Sequence, residues 1–154
     1  MTASMAKPQM EEFLKGLLGP WGEPVTMKIE LGAIRRMSLC VDDLDPIHFD
    51  ESSAKDRGYR GIVASWPLLW LVFFNCSEFE IHFPFGKATI HGEDFYEFHE
   101  PIIDGDEITV HTAITETSVK EGKAGSMGLI VEERRFVNQF GQLCAVLKTT
   151  AIRR

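Results

Sequence analysis

Apolar and polar positions divide the chain into two unlike halves. Met10, Phe13, Leu14, Leu17 and Leu18 recur at helical spacing, and Gly19-Pro20-Trp21-Gly22-Glu23-Pro24 then breaks the pattern, so a short N-terminal helix and a loop are expected over residues 1–24. Val25 to Ile29 alternates like a strand. Leu31, Ile34, Met37, Ser38 and Val41 mark one face of a second helix, with Arg35 and Arg36 on the other. Ser52 to Gly58 reads as a short helix stopped by its glycine. The run Ser65 to Phe74 is apolar on every side, opens with serine as an N-cap and carries Pro67 in the first turn, so it predicts a buried helix. The second half changes period. Ile90–Glu100, Glu107–Glu121, Gly125–Asn138 and Gln142–Arg153 are strand-like and separated by turn residues. Long antiparallel strands preceded by one buried helix describe an α+β domain whose sheet wraps around that helix.

Composition narrows this picture. At 154 residues, with 44% apolar and 25% charged positions, the chain suits one domain with a sizeable core. A formal charge of −7 without clustered Lys or Arg argues against a nucleic-acid partner. Arg57, Arg60 and Lys87 form a candidate patch for the phosphates of a carrier, although a solvated surface explains them equally well. No apolar run approaches the ~18 residues that a membrane span requires. Met1 to Gln9 has no secretory h-region, and Cys40, Cys76 and Cys144 are an odd number without metal-ligand spacing, so free thiols and a cytoplasmic location are expected. His82, His91, His99 and His111 are not clustered, and no metal is expected.

The candidate chemistry lies in Asp43-Leu44-Asp45-Pro46-Ile47-His48. Neither a helix nor a strand brings residues five apart together, so an irregular turn at Pro46 is what lets a carboxylate and an imidazole converge. Taken alone, Asp-x-Asp-Pro is also an ordinary backbone turn. Asp104-Gly105-Asp106 is read as a hairpin turn for the same backbone reasons.

Asp43, Pro46, Ile47 and His48 stand at the positions of a Gly-Asp-x-Asn-Pro-(Ile/Leu)-His motif. Together with Gly32–Arg36, Gly61–Ala64, Glu97–Asp106 and Val137–Leu143, they resemble the MaoC-like dehydratases, which include the (R)-specific enoyl-CoA hydratases. The likeness runs from Val25 to the C-terminus and is nearer the FAS1-like dehydratase branch. It implies a hot-dog domain over residues 25–154, and a reaction without cofactor that interconverts trans-2-enoyl and (R)-3-hydroxyacyl thioesters of coenzyme A or an acyl carrier protein. Asp43 and His48 would handle the water, and the Trp66 N–H would bind the thioester oxygen. Asp45, Ser65, Trp66 and Trp70 would contact the substrate, although Trp66, Trp70, Phe73 and Phe74 equally suit a core. Pairing with an identical or related hot-dog chain is implied as well. Three features depart from the motif: Asp42 for the usual Gly, Asp45 for Asn, and Ala64-Ser65-Trp66 for Ala-His-Gly. Crowding Asp42, Asp43 and Asp45 is expected to disfavour having all three ionised at once. Two alternatives stay open: a non-catalytic acyl-binding subunit of a heteromeric dehydratase, and a hot-dog thioesterase.

Overall fold

The strand-like second half pairs with one strand from the first half into a five-stranded antiparallel sheet. In the computed structural model, which describes residues 5–76, 81–123 and 125–154 and only the backbone of residues 73–76, the elements run as follows. Helix α1 (Lys7–Lys15) precedes strand β1 (Val25–Lys28), helix α2 (Leu31–Cys40), a 3-10 turn (Pro46–His48), α3 (Glu51–Asp56) and α4 (Leu68–Cys76). Strands β2 (Thr89–Phe98), β3 (Glu107–Gly122), β4 (Gly125–Val137) and β5 (Leu143–Arg153) follow. The strand order is β1-β3-β4-β5-β2, so β1 and β2 are the edges. This is the expected α+β arrangement of an antiparallel sheet around a helix.

Helix α4 packs on one face of that sheet. Leu68, Leu69 and Val72 are buried against Ile108 and Val110 of β3, Phe136 of β4, and Ala145 and Leu147 of β5. Full burial of side chains of this size contributes about 1.5–3 kcal/mol each. Helix α1 covers the other end of the strands, where Met10 and Leu14 meet Phe85, Ile114 and Ile130. Its start differs from the sequence expectation by one turn, because Pro8 opens the helix and Gly16 caps it, leaving Leu17 and Leu18 outside.

Register shows what lies between these two apolar clusters. Directly paired residues share a face, so Val110, Phe136, Ala145 and Phe98 make one row, and Thr112, Arg134, Leu147 and Tyr96 the next. A third row is Ile114, Glu132, Thr149 and Asp94. The middle of the helix-bearing face is therefore polar, and the buried Arg134 guanidinium is bonded to Glu132.

Two expectations for the central helix are corrected. It begins at Leu68, after a tight turn in which the Leu68 N–H bonds to the Ser65 carbonyl at 3.0 Å, and the Ser65 hydroxyl caps nothing: it is buried without a partner among the described residues. Nor is the helix enclosed on every side, since Leu71 is 41% exposed and Trp66, just ahead of it, 56%. One sheet can cover only one side of a helix. No helix among the described residues is long and apolar enough to cross a membrane.

Candidate active site

Helix α2 delivers the first site residue through its C-terminus. The Asp43 N–H bonds to the Ser38 carbonyl at 2.9 Å and the Asp42 N–H to the Leu39 carbonyl at 3.3 Å, the paired bonds of a Schellman cap. Such a cap requires a left-handed residue between them, and Asp42 supplies it at φ 56°. This explains why glycine is the residue expected at that position, and why aspartate, which tolerates the left-handed region better than most side chains, can replace it. The chain leaves the helix with Asp43 aimed across the turn that follows.

That turn is held by Asp45. One Asp45 carboxylate oxygen accepts the Ile47 N–H at 3.1 Å, capping the 3-10 turn that Pro46 opens, and the other accepts Arg57 Nη1 at 2.7 Å. The Asp45 N–H points back to Asp43 Oδ1 at 3.4 Å. The Arg57 guanidinium, followed by the Ile47 N–H, holds the Asp45 carboxyl below its ordinary value, the opposite of what crowding of the three aspartates leads one to expect at that position.

His48 closes the arrangement. Its ring is buried, with Nδ1 2.7 Å from the Val63 carbonyl and Nε2 3.0 Å from Asp43 Oδ2. A carbonyl only accepts, so Nδ1 carries a hydrogen, which leaves Nε2 as a bare lone pair in the neutral ring. Nε2 therefore faces Asp43 Oδ2 at 3.0 Å as the ring nitrogen that can take up and give back a proton beside the carboxylate. The Asp43 carboxylate is 37% exposed and reachable, whereas the imidazole beneath it is fixed in place.

Val63 is a position that the sequence did not single out as a partner. Its N–H donates to the Ile47 carbonyl at 3.0 Å, so it is pinned on both sides of the turn it supports. The segment around it is stitched to the loop before β3 by a Val63–Ile103 bridge and by Ala64 N–H donating to the Ile102 carbonyl at 2.8 Å. Beneath lies Asp106, fully buried, which accepts from Arg60, from Gln139 Nε2 at 2.9 Å and from the Ile103 N–H at 2.8 Å. Gly105 reaches φ 85° to make that turn, but the turn is not the hairpin expected from Asp104-Gly105-Asp106: β2 pairs with β5 and β3 with β1 and β4, so the segment crosses from one edge of the sheet to the strand next to the other edge.

Past Val63 the strap leads to the start of α4. The N–H groups of Ser65 and Trp66 make no hydrogen bond among the described residues, and a helix N-terminus carries positive potential. A cavity of about 320 Å³ opens there, lined by residues including Ser65, Trp66, Leu69, Phe98, His99 and Cys144. The Cys144 thiol is pushed up to about 11, first by burial and then by the Asp106 charge, so it stays protonated near neutral pH.

The structure therefore brings Asp43 and His48 together and sets Ser65 and Trp66 on the cavity. The dyad does not itself line that cavity; the Val63–Ala64 strap joins the two. Asp45 points away to Arg57, and Trp70 lies to one side, its ring 6.1 Å from that of His91. The Phe73 and Phe74 side chains lie outside the described residues. Arg57 and Arg60 are each engaged by a carboxylate, which leaves Lys87 of the candidate phosphate patch. His91 and His99 pair with Asp94 and Glu97, and no group of metal-binding side chains occurs among the described residues.

A capped carboxylate bonded to a buried imidazole beside a helix N-terminus, on a sheet wrapped around that helix, is a specific combination. The sequence profile of the FAS1-like dehydratase domain region matches residues 17–146. The chain belongs to the FAS1-like dehydratases. Similar solved structures carry the same hot-dog fold. A MaoC-like dehydratase superposes with a TM-score of 0.76 at 25% identity, over 91% of this chain and 43% of that one. This chain thus spans under half the length of that relative. The HadBC (3R)-hydroxyacyl-ACP dehydratase complex of Mycobacterium tuberculosis matches with a TM-score of 0.68 at 22% identity, over 88% of this chain and 96% of that one. An (R)-hydratase of A. caviae involved in PHA biosynthesis gives 0.65 at 19%, over 87% and 94%. No curated protein sequence matches the chain.

Proposed function

We propose that this FAS1-like dehydratase adds water reversibly across the double bond of a trans-2-enoyl thioester, forming the (R)-3-hydroxyacyl thioester. The observation that carries the reading is the 3.0 Å contact of Asp43 Oδ2 with His48 Nε2, with Nδ1 fixed on the Val63 carbonyl, a geometry in which one proton can pass between the two. Hydration requires one base and one acid at once, and such a pair is both. Asp43 takes a proton from the water as its oxygen bonds to C3, while the imidazolium of His48 protonates C2. The pair ends with the same one proton, now on Asp43, which returns it to His48. Dehydration runs the same transfers backwards.

Charge develops on the thioester oxygen as C3 is attacked. The free Trp66 N–H at the start of α4 is the donor assigned to it, with the helix end adding favourable potential. The cavity beside Ser65 and Trp66 receives the acyl group, and no cofactor takes part. The protonated Cys144 is a poor nucleophile, which disfavours a thiolate route to thioester hydrolysis.

A second hot-dog unit completes the protein in this reading. Phe95 and Phe98 on the edge strand β2 are more than half exposed, as is Trp66, and this chain spans less than half of the MaoC-like relative. An identical or related chain covers that edge. The same observation favours the second reading, an acyl-binding subunit that lines the channel of a catalytic partner.

The test is hydration of a crotonyl-to-octenoyl series of CoA thioesters by the purified chain, followed by loss of the conjugated absorbance. Asp43→Asn is expected to lose roughly 10²–10⁴-fold in kcat/KM, the range for a positioned acid or base. Full activity in that variant overturns the catalytic role of Asp43. Activity appearing only with a second MaoC-like chain, and undiminished by Asp43→Asn, assigns this chain the binding role.

A further inference from the structure

We propose that Arg57 is a positioning residue for the dyad, holding Asp45 so that this chain's extra carboxylate seats the Pro46–His48 turn without placing an uncompensated charge beside Asp43 and His48. An asparagine at position 45 could cap the Ile47 N–H through its side-chain oxygen with no charge. Aspartate makes the same cap at 3.1 Å and adds a negative charge, which Arg57 meets at 2.7 Å. The Asp45 carboxylate and the Arg57 cation that holds it form one unit.

The other charged groups around the turn are engaged elsewhere or lie outside that unit. On α2, Arg35 donates to the Phe49 carbonyl at 2.9 Å, and Arg36 lies one residue further along. On α3, Lys55 pairs with Glu51 at 2.7 Å, and Asp56 ends the helix. Asp50 caps the Ser53 N–H at 2.8 Å, and Arg60 is bonded to Asp106. Asp42 occupies the left-handed cap position. Arg57 is the cation bonded to a carboxylate of the turn itself. Its place is set by the end of α3, where Gly58 turns the chain at φ 86°.

The experiment titrates the His48 imidazole by NMR in the whole chain, its signal assigned by its loss in His48→Gln. Arg57→Gln leaves Asp45 uncompensated and raises the His48 midpoint by roughly 0.2–0.7 pH unit, the scale of exposed charge pairs. Asp45→Asn lowers it. Arg57→Gln with Asp45→Asn removes both charges and returns the midpoint close to that of the unsubstituted chain. An unmoved midpoint in Arg57→Gln, or a double variant that stays with Arg57→Gln, overturns the proposal.

This readout needs no substrate, so it stands or falls apart from the hydratase reading. Where turnover is measured, Arg57→Gln moves both limbs of the pH–kcat/KM profile upward, and the double variant restores them. A merely structural role lowers the profile without moving its limbs. A rise confined to KM for the CoA thioester, with the His48 titration unchanged, overturns the proposal and assigns Arg57 to the carrier's phosphates.

Discussion

The Asp43–His48 turn and the start of α4 lie on either side of one strap, and they are finished to different degrees. In the turn, both oxygens of Asp45, both nitrogens of His48 and both backbone groups of Val63 have partners. At the start of α4, among the described residues, the Ser65 hydroxyl is buried without one and two N–H groups donate to nothing, and Trp66 stands 56% exposed. Buried polar groups are ordinarily satisfied, so the second region is the one that the proposed function assigns to a ligand or partner. A substrate oxygen suits the N–H groups, and a second hot-dog unit suits the exposed aromatic surface. In the proposed hydration the first region would be complete because a proton-transfer pair has to keep its geometry whether or not substrate is present.

The sharpest way to break this comparison is to disturb the finished side. His48→Gln retains a polar side chain of similar reach but removes the titrating nitrogen, and is expected to lose roughly 10²–10⁴-fold in kcat/KM while the melting temperature changes little. Steady-state kinetics beside a thermal melt checks it; an active variant would show that the completed turn is only a scaffold.

Cutting the strap's support tests how the two regions are joined. Asp106→Ala removes a fully buried carboxylate and leaves Arg60, Gln139 and the Ile103 N–H without their acceptor. Urea unfolding is expected to show a loss of about 3 kcal/mol, the range for breaking a buried hydrogen-bonded charge. Activity should fall as well, because Val63 loses its backing. A loss below about 0.5 kcal/mol would show that the strap holds itself.

The smallest effect has the opposite sign. Asp42→Gly relieves a side chain at φ 56°, and a non-glycine residue in the left-handed region costs about 1–2 kcal/mol. Part of that gain is offset by the greater freedom of glycine in the unfolded chain, so a net stabilisation of about 0.5–1 kcal/mol is expected. A destabilised variant would show that the Asp42 side chain does something beyond closing the cap.

Legibility in the sequence followed the range of the interaction. The spacing of Leu31, Ile34 and Ser38 marked α2 within a residue or two of its ends, and alternation marked all four strands of the second half. Asp43 and His48 were legible as a pair because the proline between them left few ways for the chain to go. The cap at Asp42 was hidden, since its usual sign is the glycine that this chain lacks. Val63 was hidden for another reason: it acts through a main-chain carbonyl, and a carbonyl leaves no mark on residue identity. Arg57 looked like one member of a surface patch, and its bond to Asp45 depends on α3 folding back on the turn. The apolar run at Trp66 to Phe74 correctly indicated the central helix, but apolarity alone did not reveal how much of it one sheet would leave uncovered.

By itself the sequence determined the elements, their order and the carboxylate–imidazole turn, because periodicity, proline and capping act over a few residues, where sterics and local hydrogen bonds decide. Tertiary structure alone decided which His48 nitrogen is held by Val63, that Arg57 offsets Asp45, that a polar row crosses the sheet beneath the central helix, and that the start of α4 is left open. Those outcomes join residues far apart in the chain, and only the closed fold brings their atoms within bonding distance.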